Sequence, residues 1–73
     1  MEDLEKLRIL VPHWIEHNAE HAAEFRAWGR RAGGTARALI ETAADQLEAA
    51  NRSLEEALKA LGGPIEGRSS ETA

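Results

Sequence analysis

All three histidines of the chain fall in one stretch, His13-Trp14-Ile15-Glu16-His17-Asn18-Ala19-Glu20-His21-Ala22-Ala23-Glu24. It reads as a His-x-x-Glu unit repeated three times. On a helix that turns about 100° per residue, His13, His17, His21, Glu20 and Glu24 share a stripe about 100° wide. Imidazole and carboxylate without thiolate is the ligand set of a borderline divalent transition ion. The chain has no Cys, so neither thiolate ligands nor disulfides enter.

Histidines four apart rise about 6 Å per step, near enough for both rings to reach one ion. His13 and His21 are about 12 Å apart along the axis, so one straight helix cannot bring all three to a single metal. His21 falls at a core position of the periodic stripe and His17 and Glu24 flank it, so His17 and His21 are the expected nucleus, with Glu24 or Glu20 supplying oxygen. His13 is then peripheral, or holds a second site with Glu16 or His17. Zinc, nickel or cobalt is the expected ion, and the residues do not choose among them. A second, structural reading stands beside this one. In it His21 lies in a buried polar layer with Asn18 and Asn51, which sets helix register and binds nothing. Glu beside His at three or four residues is also ordinary pairing on a helix surface.

The elements that position these groups follow from periodicity. Leu4, Leu7, Val11, Trp14, Asn18, His21, Phe25 and Trp28 alternate spacings of three and four, the signature of a helix packed along one stripe. Helix 1 is expected over about 3–31, kinked at Pro12, whose ring removes one backbone donor. Gly33 and Gly34 end it, and Thr35 is the expected N-cap of helix 2, over about 36–61. Gly62-Gly63-Pro64 is the stop. Ile40, Leu47, Leu54 and Leu61 recur every seven residues, with Ala36, Ala43, Ala50 and Ala57 beside them. One large and one small residue per heptad suits close antiparallel packing.

The fold class is therefore all-α: an antiparallel two-helix hairpin over 1–63 and a disordered tail over 64–73. The expected register sets Leu4 against Leu61, Leu7 against Leu58, Val11 against Leu54 and Trp14 against Asn51. Of the 31 hydrophobic residues 14 are Ala, which leaves 17 larger side chains, a thin core for one chain. A homodimer closing into a four-helix bundle is the economical way to cover Trp14, Phe25, Trp28, Leu10 and Leu39.

Composition excludes other classes. The net charge is −4, and the only basic cluster is Arg30, Arg31 and Arg37, too small a footprint for nucleic acid. No apolar run approaches a membrane span and no signal-peptide pattern opens the chain, so a cytoplasmic, soluble protein is expected. His13-x-x-Glu16-His17 and His17-x-x-Glu20-His21 match the inverzincin pattern, but a hairpin offers no substrate cleft or third protein ligand. The di-iron bundle motif has the reverse order, and helix 2 carries no His. No enzymatic activity is expected.

The stretch from Leu10 to Trp28 resembles a small, uncharacterised prokaryotic helical domain whose members look like PHWIEHNxEHAxxFxxW followed by a second helix. The matching residues are Pro12, His13, Trp14, Glu16, His17, Asn18, Glu20, His21, Phe25 and Trp28, within a stretch that covers about a quarter of the chain. The resemblance implies a metal-associated accessory domain linked to nickel or cobalt handling. The expected function is binding, buffering or sensing of a divalent metal, with a plain oligomerisation or adaptor module as the alternative.

Overall fold

The computed structural model describes residues 2–65. Two helices, α1 (Asp3–Ala32) and α2 (Gly34–Leu61), run antiparallel as a hairpin 47 Å long. That length is set by α1 itself, since 30 residues rise about 45 Å. α1 begins with a capping arrangement in which the Glu2 N–H donates to Glu5 Oε1 at 3.3 Å. Asp3 and Glu5 in its first turn and Arg30 and Arg31 in its last both oppose the helix dipole. The helix runs unbroken through Pro12.

The turn is tighter than the sequence implies. A single residue, Gly33, separates the helices, and α2 starts at Gly34. Thr35 therefore lies inside the first turn and caps nothing, which corrects its expected role. Gly33 has φ 70° and ψ 176°, a conformation that only glycine adopts without strain. Gly33→Ala is expected to destabilise the hairpin by about 1–3 kcal/mol. A Cβ there meets no atom within 4 Å, so the whole effect is backbone strain. Urea titration of the two proteins checks it, and an unchanged midpoint would refute it.

The far end closes by a different device. Gly62 adopts a left-handed conformation (φ 106°), and the Gly63 N–H donates back to the Leu58 carbonyl at 2.9 Å. This turns the Gly62 and Gly63 carbonyls toward α1. Arg8 donates through Nε to the Gly63 oxygen at 2.7 Å and through Nη2 to the Gly62 oxygen at 3.2 Å. One guanidinium thus ties the first turns of α1 to the electronegative end of α2.

Between these ends the helices pack very closely. The buried positions are Val11, Ala22 and Gly29 on α1, and Ala44 and Asn51 on α2. Half-buried Leu7, Ile15, Asn18 and Phe25 continue the α1 row, and Ile40, Leu47, Leu54, Leu58 and Leu61 continue the α2 row. A Cβ added at Gly29 would sit 3.2 Å from Ile40 Cγ2, so only small residues fit where the backbones approach.

That closeness overturns the expected phase. The row Trp14, His21, Trp28 is replaced on the seam by its neighbour, Ile15, Ala22, Gly29. Trp14 is 42% exposed and Trp28 59%, so the tryptophans are not core. Leu4 and Leu39 are exposed too, at 63% and 65%. On α2 the second row is Ala44, Asn51 and Leu58 rather than the expected alanines, of which Ala36, Ala50 and Ala57 are exposed. The antiparallel pairing holds to within about a turn: Asn51 bonds Ile15 and Asn18, next to the expected Trp14. The expected tail lies, from residue 66 onward, outside the described residues.

Candidate metal centre

Asn18 and Asn51 anchor the middle of the seam. Asn18 Nδ2 donates to Asn51 Oδ1 at 3.0 Å, and Asn51 Nδ2 donates to the Ile15 carbonyl at 2.9 Å. The polar layer is real and lies within one chain, but His21 has no part in it. Its side chain is 56% exposed, on the flank of α1. On the opposite flank Arg26 grips Glu48 through both Nη atoms (2.9 and 3.2 Å) and Asp45 through Nη2 (2.6 Å). The bonds to Glu48 and Asp45 raise the guanidinium pKa. The two flanks therefore differ. One is crossed by ion pairs, and the other carries Trp14, His21 and Trp28.

With α1 held in this orientation, the histidines line up on its outer surface. His13 Nε2 and His17 Nε2 lie 3.1 Å apart, with ring centroids 4.5 Å apart in an edge-on arrangement. The next pair is looser: the His17 and His21 centroids are 6.4 Å apart. His21 instead turns its Nδ1 toward Glu24 Oε1, at 3.5 Å. Four of the five candidates thus form two adjacent pairs, His13 with His17 and His21 with Glu24, and Glu20 joins neither. His17, His21 and a glutamate do not converge on one point. Among the described residues no group of three or more His, Asp or Glu is close enough to hold an ion.

The first pair nonetheless has the separation of two ligands on one metal. With a metal–nitrogen bond of about 2.05 Å, two ligand nitrogens lie about 2.9 Å apart at a right angle and about 3.3 Å apart at a tetrahedral angle. The observed 3.1 Å falls between. In the absence of an ion the same contact is a hydrogen bond, with one Nε2 donating to the lone pair of the other. Either way the ring nitrogens face each other and are open to solvent. The sequence carried the signal for this pair, since His13 and His17 have the same four-residue spacing as His17 and His21. The row of larger side chains masks it, because that row sets His21 inside the bundle and His13 at its edge. Arg8 and Arg26, by contrast, left no local trace, because their partners are 55 and at most 22 residues away in sequence.

A two-helix hairpin with an asparagine-bridged seam and a histidine-bearing outer face is the class of protein that fold and site define. Residues 7–61 match the family described as a domain of unknown function (DUF8180), and this span covers the hairpin from Leu7 to Leu61. The chain belongs to that family. No curated protein and no solved structure matches it. No helix among the described residues is long and apolar enough to cross a membrane.

Proposed function

We propose that the chain binds a divalent transition metal on the outer face of α1, in a binding, buffering or sensing role without catalysis. The observation that carries this is the approach of His13 Nε2 to His17 Nε2, two imidazole donors at the separation an ion requires. The helix brings both rings within reach of one ion before any metal arrives, which lowers the ordering cost of the second ligand. His21 and Glu24 form a neighbouring donor pair one turn further along. Zinc, nickel and cobalt all suit imidazole-rich sites.

Calorimetric titration of zinc, nickel and cobalt tests the reading. The expected dissociation constant is below about 1 mM. It should be lost in His13→Ala/His17→Ala and retained in His21→Ala/Glu24→Ala. All these side chains are exposed, so the variants should keep the helical content of the parent by circular dichroism. Absence of binding by the parent chain ends the proposal. Loss in the second variant alone would move the site to His21 and Glu24.

A second reading, a metal-independent homo-oligomerisation or adaptor module, is favoured by the exposure of Trp14, Trp28 and Leu39. Its oligomerisation form requires the metal-free chain to self-associate, and a metal-free mass of 8.0 kDa would count against that form.

A further inference from the structure

The His13–His17 pair offers two nitrogen donors 3.1 Å apart. Zinc sites built by proteins have three or four protein ligands, and here one chain supplies two nitrogens. Among the described residues no third donor joins them. Glu16 and Glu20 are exposed on the same helix yet form no hydrogen bond or ion pair with either ring among the described residues, and Glu24 is engaged with His21.

Two further features bear on what completes the shell. The first is charge. From His13 to Phe25 the only charged side chains are Glu16, Glu20 and Glu24, with no Lys or Arg among them. Two such surfaces repel each other unless a cation lies between them. The second is apolar surface beside the pair. Trp14, adjacent to His13, is 42% exposed, and half-buried Leu10 lies one heptad before His17 on the same flank. A second copy related by a twofold axis presents the same residues in return, which is the self-complementarity an isologous contact needs.

We propose that two copies of the chain share one divalent ion, each giving His13 Nε2 and His17 Nε2 to a four-imidazole site, with their Leu10–Trp14 flanks in contact across the twofold axis. This rests on the metal-binding reading above and adds its partner and its consequence. The ion offsets the glutamate repulsion and supplies half of its own shell from each chain, so its presence drives pairing. Metal concentration is thereby converted into a change of assembly state.

The test is a zinc titration of the intact chain followed by native mass spectrometry and sedimentation velocity. The expected endpoint is one zinc per two chains, with a complex of twice the 8.0 kDa chain mass that a chelator reverses to metal-free protein. His13→Ala/His17→Ala should bind no zinc and give no zinc-induced complex, while His21→Ala should keep both. If the metal-free chain is already a dimer, the stoichiometry decides alone. One zinc per chain overturns the shared site and leaves metal binding standing. No bound zinc overturns both.

Discussion

Asn51→Ala is expected to lower the thermal midpoint by about 10–20 °C, from a loss of about 2–3 kcal/mol. Asn51 is 9% exposed and serves both helices. Its Oδ1 accepts from Asn18 Nδ2, and its Nδ2 donates to the Ile15 carbonyl. Alanine removes both bonds, leaves the half-buried Asn18 amide without its partner and opens a gap where the seam is otherwise closely packed. Asn18→Ala removes only the first bond, at a less buried position, and should cost less than half as much. The double change Asn18→Leu/Asn51→Leu strands no polar group, so it should recover most of the stability while relaxing the register. Differential scanning calorimetry on the set measures this. Equal effects at Asn18 and Asn51 would refute the bridging role.

Gly29→Leu is expected to be the most damaging single change, at about 3 kcal/mol or more. In a chain this small that approaches its entire stability. The first carbon of any side chain at Gly29 would meet Ile40 at 3.2 and 3.4 Å and the Arg37 carbonyl at 3.8 Å. The atoms of leucine beyond Cβ then have nowhere to go except by separating the helices near the turn, where one residue joins them. Gly29→Ala sets two small effects against each other. Alanine gains about 1 kcal/mol of helix propensity, and Ile40 must give way by a few tenths of an ångström. Removing the Cγ2 branch at constant side-chain volume in Gly29→Ala/Ile40→Leu should free that propensity gain and leave the double variant more stable than Gly29→Ala. Circular dichroism melts of the three proteins check the order. A Gly29→Leu protein as stable as the parent would show that the helices are not in close contact there.

These two positions also explain what was legible in the sequence. The alternation of threes and fours, the glycine pair and the Gly62-Gly63-Pro64 stop defined two helices and their antiparallel pairing. The seam's phase was a choice between adjacent rows, one with Trp14, His21 and Trp28, the other with Ile15, Ala22 and Gly29. Hydrophobicity favours the row with the larger side chains. Close backbone approach favours the row with the smaller ones, and it prevails because Gly29 and Ala22 let the helices meet. A one-residue slip turns a helix by about 100°, enough to move His21 from seam to flank. The histidine and glutamate stripe itself was legible, since it depends only on helical spacing. Which pair within it closes depends on rotamers that spacing does not set. The single-residue turn was hidden because Thr35 after two glycines looks like an N-cap, whereas Gly33 takes the whole reversal.

The joint engagement of His13 and His17 by one ion is tested most directly by long-range proton–nitrogen correlation spectra of the imidazole rings during zinc addition. The Nε2 signals of His13 and His17 should move together to metal-bound shifts, with the Nδ1 atoms carrying the protons and His21 unaffected. Saturating zinc that leaves both Nε2 signals in place, or that shifts His21 while sparing His13, would contradict it.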